Sequence, residues 1–236
     1  FLAFSSDFGT ALIFFVTFLV ISFMRSGSIA TVALAVTGAG MAGFLMLKMK
    51  AHVARRFATW GHIGDAENIW DGGYQQTHAL SAGASGGLFG KGAGNGWLKS
   101  TFAGNTDTVF GVMCEELGLI VAICAVLAIL ALAFFAVRNS GHGRSAYYSI
   151  AACATASMFM VQVALNVFGS VDILPFTGVT FPFVSRGGTS VLACWMLLAF
   201  IKAGDTRKGA SFVVRPPEAK TKKQQRESAA PREETA

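Results

Sequence analysis

Five long apolar windows in this sequence contain no charged side chain. They are residues 8–24, 26–47, 117–137, 145–171 and 187–201. A membrane-spanning helix needs about 20 mostly apolar residues, so the middle three windows qualify and the first is marginal. The fifth is short, and its helix spans only if it runs past Lys202, whose apolar stem lets the ammonium reach the interface. The sequence therefore predicts an all-α polytopic membrane protein with about five transmembrane helices.

The charged residues are concentrated at one end of the chain. Of the 32 Asp, Glu, Lys and Arg residues, 14 lie between positions 202 and 236. Residues 1–203 are therefore predicted to form a transmembrane domain. Residues 204–236 have almost nothing apolar to bury and are predicted to be a disordered basic tail. This composition excludes a secreted disulfide scaffold, a coiled coil, a collagen-like fibre and a disordered activator.

Cations are more numerous on the side of the tail, with 12 against seven on the other side. This excess predicts a cytoplasmic C-terminus. It leaves residues 48–107 as a long extracytoplasmic loop, although that loop carries Lys48, Lys50, Arg55, Arg56, Lys91 and Lys99. Two explanations stay open: these cations bind an anionic ligand on the outer face, or they meet lipid headgroups.

Asp107 ends this loop, directly ahead of an apolar helix predicted to start near Val109. Its neighbours Asn105, Thr106 and Thr108 are all helix-capping types. One interpretation is that Asp107 is a helix N-cap, worth about 1 kcal/mol. The other is that it is a carboxylate near cations at a membrane-facing cleft, placed to act as a general base.

Glu115 and Glu116 follow on the same predicted helix, on the order of 12 to 14 Å farther along. Acids inside a membrane are functional candidates unless they lie at the interface or are paired. Their expected partners are loop cations such as Arg55, Arg56 or Lys91. On another predicted helix Gln162 and Asn166 share one face, which favours an interhelical hydrogen bond.

Two glycine-containing stretches complete the pattern. Residues 81–96 fail both the GxxxxGK[ST] and the GxGxxG nucleotide templates, so a tight, close-packed loop is favoured, whose amides could also face an anion. Residues 174–190 hold two prolines and three glycines at membrane depth, which predicts a re-entrant or surface-plugging segment beside a site. Arg186 in that stretch is a seventh outer cation. The histidines have no ligand spacing, so no metal site is predicted.

Several motifs occur in the order found in one bacterial family: DFGTAL at 7–12, GYQQ at 73–76, GGLFGKGAGNG at 86–96, TDTVF at 106–110, EELGL at 115–119, and Asn166 followed by 174–190. The chain thereby resembles the SEDS family (shape, elongation, division and sporulation), whose members are proteins of the FtsW, RodA and SpoVE type. Family members have about ten membrane helices. The resemblance, and a sequence that begins at Phe1 inside an apolar run, imply the C-terminal half of such a fold.

The resemblance implies a multi-pass protein of the bacterial plasma (inner) membrane, a peptidoglycan glycosyltransferase that serves cell division or cell shape. Its substrate would be lipid II, an undecaprenyl-diphosphate-linked muropeptide. Its partners would be a class B penicillin-binding protein, which is a transpeptidase, and membrane lipids, with no nucleic acid. The alternatives are a lipid II flippase and a non-catalytic scaffold for the penicillin-binding protein. Asp107 separates them, because a flippase needs no base there.

The family's essential aspartate matches Asp107, although the family often has His where this chain has Asn105. Its SYGGSS motif reads here from Ser185 to Ser190, with Arg186 in place of Tyr. The resemblance thus implies Asp107 as the base, and because the departing diphosphate needs charge stabilisation, Arg55, Arg56, Lys91 and Arg186 are predicted to be diphosphate contacts. The implied supporting residues are Glu115, Glu116, Gln76, Asn166, Ser185, Gly187 and Gly188. No definite cofactor is predicted, although a divalent cation such as Mg²⁺ could assist.

Overall fold

The structure, a computed structural model, describes residues 7–49, 51–141 and 145–204. Apart from Gly204, the predicted tail lies outside these residues. The described residues form α-helices, one short 3₁₀ helix and connections, with no strand among them. The helices are α1 (Phe8–Ser26), α2 (Ile29–Met49), α3 (Ala51–Thr59), α4 (Tyr74–Gly86), the 3₁₀ helix η1 (Leu98–Ser100), α5 (Val109–Glu116), α6 (Leu119–Ser140), α7 (Ala146–Ser170) and α8 (Gly188–Gly204).

Four helices in the described residues, α1, α2, α6 and α7, are long and apolar enough to cross a membrane. The fifth window forms α8, which is apolar but has only 17 residues, and it runs past Lys202 as its short window requires. The predicted class, an all-α polytopic membrane protein, is confirmed. Glycine ends the first span: Gly27 adopts φ 62°, and its N–H donates to the Phe23 carbonyl.

The core forms where α7 packs between α1 and α6. Small side chains allow the close approach of α6 and α7, because Ala133 and Ala136 on one meet Ala156 on the other. Larger buried side chains form a second cluster of this core, including Phe159 of α7 and Phe181 of the connection that follows it. α7 is therefore the helix on which the remaining elements are assembled.

The long predicted loop has helical structure and a small core of its own. Three of its elements are α3, α4 and η1, and α4 packs directly against α5, which follows the loop. Leu98 of η1, only 1% exposed, fills the space between Ala79, Ala82 and Val112. The loop is thus folded and has a packed interior, and its extracytoplasmic side stays a prediction.

The helix predicted from Val109 onward is in fact two helices. α5 ends at Glu116, and Gly118 at φ 87° separates it from α6. A side chain at Gly118 would clash with the Leu88 carbonyl at 2.3 Å, so glycine is required for the loop to cross at this break. Glu115 and Glu116 therefore lie on the helix that starts at Val109, as expected, but this helix is the eight-residue α5 and not the apolar helix α6 that follows it.

The α7–α8 connection, residues 171–187, is irregular but well packed. Asp172 and Phe183 have positive φ values of 61° and 65°, which are unusual for residues other than glycine. α1 supports the connection closely, because a Cβ on Gly9 would lie 2.2 Å from the Val179 side chain. The predicted re-entrant course through the membrane stays a prediction.

Candidate functional site

Asp107 lies at the end of a tight turn that begins at Ala103. The Asp107 and Thr106 amides both donate to the Ala103 carbonyl, at 2.9 and 3.1 Å. Ala103 adopts φ 56°, which directs the chain back toward α5. The residue that caps α5 is Thr108, without a side-chain cap bond, so the interpretation of Asp107 as the N-cap is wrong. Its carboxylate is therefore not used by the helix.

Three successive carbonyls of this turn are held by residues from much later in the chain. The Arg186 amide donates to the Asn105 carbonyl at 2.9 Å, and the Ser185 hydroxyl donates to the Thr106 carbonyl at 2.7 Å. Asn166 Nδ2 of α7 donates to the Asp107 carbonyl at 2.9 Å. These bonds fix the backbone that carries Asp107 without occupying its carboxylate.

Asn166 and Ser185 each bind a second partner in the α7–α8 connection. Asn166 Nδ2 also donates to the Val179 carbonyl at 2.7 Å, and the Phe181 amide donates to Ser185 Oγ at 2.7 Å. The hydrogen bond expected for Asn166 therefore joins α7 to loop backbone. Asn166 Oδ1 is buried and has no hydrogen-bond partner among the described residues.

The environment of the Asp107 carboxylate alters its acidity. Burial raises the pKa of Asp107 above the ordinary carboxyl value, whereas a hydrogen bond from Thr106 and the positive charge of Arg56 act in the opposite direction. Gly178 lies on one side of this carboxylate, with its would-be Cβ 3.1 Å from Oδ2. A carboxylate with a raised pKa is better matched to accepting a proton near neutral pH.

Arg56 reaches this site because α3 lies along residues 172–176. Arg56 Nη1 donates to the Phe176 carbonyl at 3.3 Å, and Trp60 Nε1 donates to the Ile173 carbonyl at 3.2 Å. A groove of about 340 Å³ runs between α1, α3, α7 and this connection. Arg56 is the charged residue among its lining side chains, which are otherwise apolar except for Thr177.

The other predicted diphosphate contacts have different surroundings. Arg55 pairs with Asp71 at 3.9 Å, and both side chains are exposed. Lys91 pairs with Glu115 at 3.3 Å. The Arg186 side chain is exposed next to the Asp107 turn, which its amide binds. The structure thus brings Arg56 and the Arg186 backbone to the turn, whereas Arg55 and Lys91 are paired elsewhere.

The glycine-rich loop surrounds the two glutamates at the end of α5. Glu115 is fully buried, and its carboxylate accepts the amides of Trp97 and Leu98 at 3.1 and 3.0 Å in addition to Lys91. Glu116 accepts the amides of Gly94 and Gly96 and pairs with Lys99 at 3.2 Å. The anions that this loop binds are therefore the chain's own carboxylates.

Gln76, Gly187 and Gly188 have structural positions near the ends of α7 and α8. Gln76 is buried, and its Nε2 donates to the Gly169 carbonyl at 2.8 Å. The Gly187 amide donates to the Ser185 carbonyl at 2.8 Å, and Gly188 begins α8. Gln76 thus fixes α4 on α7, and the glycines continue the Ser185 turn into the last helix.

Sequence reasoning missed Asp172, whose carboxylate accepts hydrogen bonds from the Gly61 amide and from Gln76. One signal could have found it, because Asp172 is the sole acidic residue between Glu116 and Asp205 in the sequence. Within the described ranges, no group of three or more His, Cys, Asp or Glu side chains could hold a metal ion.

Comparison with known proteins assigns this arrangement to a family. A family model named FTSW_RODA_SPOVE and described as "Cell cycle protein" matches residues 1–208. The chain belongs to the FtsW/RodA/SpoVE family. It is therefore a multi-pass membrane protein of the SEDS type, as the motifs predicted.

Two relatives illustrate the similarity. The peptidoglycan glycosyltransferase RodA of Mycobacterium bovis is 30% identical over 202 residues, which are 85% of this chain and 42% of that protein. The probable peptidoglycan glycosyltransferase FtsW of Escherichia coli O6:H1 is 32% identical over 221 residues, 88% of this chain and 52% of that protein. This FtsW/RodA/SpoVE chain spans about half the length of the curated relatives it matches.

A solved structure shares the fold. It is described as "Structural coordination of polymerization and crosslinking by a peptidoglycan synthase complex", and one of its chains matches with a TM-score of 0.62 and 19% identity. The match covers 87% of this chain and 59% of that chain. The likeness shows that the FtsW/RodA/SpoVE helices are arranged here as in a solved protein.

Proposed function

We propose that this chain is part of a peptidoglycan glycosyltransferase that polymerises lipid II, with Asp107 as general base. The observation that carries the proposal is the Asp107 turn: its backbone is held by Asn166, Ser185 and Arg186, while its carboxylate stays free of the helix cap. A carboxylate that is held in place and whose pKa is raised by burial suits proton abstraction, and the nearby positive charge of Arg56 limits this rise of the pKa. The names of the relatives support the same activity.

The reaction transfers a glycan from a lipid diphosphate to a sugar 4-hydroxyl. Asp107 accepts the hydroxyl proton as the new glycosidic bond forms, and the bond between the anomeric carbon and the diphosphate breaks. The departing diphosphate keeps the electron pair and needs charge stabilisation rather than protonation. A single displacement of this kind inverts the anomeric carbon.

Arg56 and Arg186 are the cations we propose as diphosphate contacts. Arg56 acts on the Asp107 carboxylate, and the Arg186 side chain is exposed beside the same turn. Lys91 and Arg55 would reach a diphosphate only by leaving Glu115 and Asp71. The structure therefore favours the first pair of the four cations predicted from the sequence.

The groove beside Arg56 suits the apolar chain of such a lipid. Its lining is apolar apart from Thr177, with one guanidinium among the side chains, as an amphiphile with an anionic headgroup requires. We propose that a divalent cation such as Mg²⁺, where it assists, binds to the departing diphosphate.

The proposal also covers the cellular location of the protein and its partner protein. The protein would lie in the bacterial inner membrane with its C-terminus in the cytoplasm, as the distribution of cations favours. It would work with a class B penicillin-binding protein. The solved complex that couples polymerization to crosslinking supports such a partnership.

The decisive experiment measures lipid II polymerisation by the purified full-length protein together with its transpeptidase, comparing wild type with Asp107→Asn. Asparagine keeps the size of the side chain but removes the base. We expect glycan strands to fall by about 10²-fold or more, since general bases contribute about 10² to 10⁴. The control is Asp65→Asn, an exposed carboxylate of the α3–α4 connection.

Three outcomes separate the candidate functions. Loss of strands in Asp107→Asn, with intact folding and partner binding, supports the polymerase. Strands at the wild-type rate in both variants would refute Asp107 as the base. Absence of strands from the wild type itself would favour a flippase if lipid II is transported across vesicles, or a scaffold if the transpeptidase is still recruited.

A further inference from the structure

Asp172 lies just past the end of α7 and has a positive φ, a conformation that is uncommon outside glycine, asparagine and aspartate. α7 ends at Ser170, and Asp172 adopts φ 61°, which glycine tolerates freely and other residues adopt only at some cost. The backbone alone would thus be satisfied better by glycine. An aspartate at this position is therefore explained by the hydrogen bonds of its carboxylate.

The carboxylate contacts two elements that are distant in the sequence. Its two oxygens accept the Gly61 amide at 3.1 and 3.3 Å, across 111 residues. Oδ1 also accepts Gln76 Nε2 of α4 at 3.3 Å, across 96 residues. Asp172 is therefore not a cap of its own helix but a link between α7, α4 and the residues that follow α3.

Among the described residues, this link is one of three hydrogen-bonded links between α3 with its exit, residues 51–61, and the connection at 172–176. The other two use the backbone carbonyls of Ile173 and Phe176, which accept Trp60 and Arg56. Any residue type supplies a carbonyl, so Asp172 provides the one side-chain acceptor of the three. It holds Gly61, five residues after Arg56.

We propose that Asp172 is a positioning residue, which anchors the C-terminal end of α3 and thereby keeps the Arg56 guanidinium at the Asp107 turn. Arg56 extends from α3 toward the Phe176 carbonyl, two residues before Gly178, which lies against the Asp107 carboxylate. Loss of the hydrogen bond from the Gly61 amide would leave the end of α3 unanchored. The Arg56 guanidinium would then no longer be held in one direction. The inference rests on the proposed function for its activity measurement, but not for its structural measurement.

The test uses two variants of Asp172 whose new residues both tolerate its positive φ. Asp172→Gly removes the carboxylate and relieves the backbone, so it separates loss of the link from simple strain. Asp172→Asn keeps a side chain that tolerates this conformation and one oxygen that can accept the Gly61 amide. Asp65→Asn is the control. All are made in the full-length protein with its transpeptidase.

The first measurement is amide hydrogen exchange of residues 56–61, which needs no activity. We expect exchange to be about tenfold faster or more in Asp172→Gly, near wild type in Asp172→Asn and unchanged in the control, with an unchanged unfolding temperature in all three. Wild-type exchange in Asp172→Gly would overturn the link itself.

The second measurement is kcat and KM for lipid II, alone and combined with Arg56→Met. If Asp172 acts through Arg56, Asp172→Gly lowers kcat/KM by about tenfold, Asp172→Asn restores most of it, and Asp172→Gly has less than about a twofold effect in the Arg56→Met background. An equal loss in both backgrounds would overturn the positioning role.

The two proposals fail differently. Faster exchange in Asp172→Gly together with full activity in Arg56→Met would refute Arg56 as a contact in the reaction, and it would also refute the positioning role of Asp172. The proposal that Asp107 is the base would be unaffected, because Asp107→Asn tests it separately. Normal exchange with a large activity loss in Arg56→Met would refute only the role of Asp172.

Discussion

The backbone of Gly178 lies against the carboxylate of Asp107, so that a Cβ on this glycine would stand 3.1 Å from Oδ2. Gly178 also adopts φ 71°, a conformation that L side chains rarely take. The two residues come from elements 71 positions apart in the sequence. Space and conformation at this position therefore both call for glycine on one side of the proposed base.

A side chain at Gly178 should impair catalysis more than folding. We expect Gly178→Ala to cost about 1 to 2 kcal/mol in stability through its positive φ, and to lower the polymerisation rate by about tenfold or more by displacing the carboxylate. The measurements are the unfolding temperature and the initial rate on lipid II. The control is Gly43→Ala, since Gly43 lies in α2 with open space around it. Equal rates for Gly178→Ala and wild type would contradict the proposed geometry.

The pH dependence of activity should report the Asp107 environment. A base must be deprotonated, so activity falls as pH drops through its pKa, and burial raises the pKa of Asp107 and moves this fall to higher pH than for an ordinary carboxyl. Arg56→Met removes a charge that lowers this pKa, so the acidic limb of kcat/KM should move to still higher pH. A shift to lower pH, or none, would show that Arg56 does not act on the base.

Glu116 should make the glycine-rich loop sensitive to acid. The Gly94 amide, followed by contacts with Lys99 and Gly96, lowers the pKa of Glu116 despite partial burial. A carboxyl whose folded pKa is lowered contributes stability above its ordinary pKa, and that contribution is lost as pH falls through the folded value. Glu116→Gln should therefore remove about 1 to 2 kcal/mol at neutral pH, seen as faster hydrogen exchange at residues 94–98. Identical pH profiles for exchange in the two proteins would refute this role.

Lys91 should matter for stability rather than for substrate binding. Its ammonium is paired with the fully buried carboxylate of Glu115, so Lys91→Met leaves that charge without its ionic partner and should cost about 3 kcal/mol. We expect a lower unfolding temperature and an unchanged KM for lipid II in the fraction that folds. A raised KM at unchanged stability would instead favour the diphosphate contact predicted from the sequence.

The membrane helices could be predicted because a spanning helix needs only length and the absence of charge, which residues 117–137 and 145–171 satisfy on their own. Asp107 could be selected because it matches the essential aspartate of the family that the motifs resemble, whereas its residue type and neighbours alone left a helix cap open. The break at Gly118 could not be predicted, since it depends on the Leu88 carbonyl crossing at that point. The same holds for Glu115, whose partners Trp97 and Leu98 are supplied by a loop that folds over it.

The role of Asp172 also could not be predicted from the sequence. Its position at the edge of an apolar window is compatible with a surface charge near lipid headgroups. Its contacts with Gly61 and Gln76 follow from the path of α3 across the end of α7, which no local pattern encodes. Long-range hydrogen bonds to backbone groups are thus the part of the site that a sequence leaves open.

The three carbonyl bonds at residues 105–107 also set an order of events during synthesis. Their donors lie 59 residues downstream at Asn166, 79 downstream at Ser185, and at Arg186. Because synthesis starts at the N-terminus, the Asp107 turn is made before the residues that hydrogen-bond to its carbonyls. The turn acquires its final shape only once α7 and the α7–α8 connection have been translated and inserted, so a ribosome stalled before residue 166 leaves a chain whose proposed base is present but not yet in place.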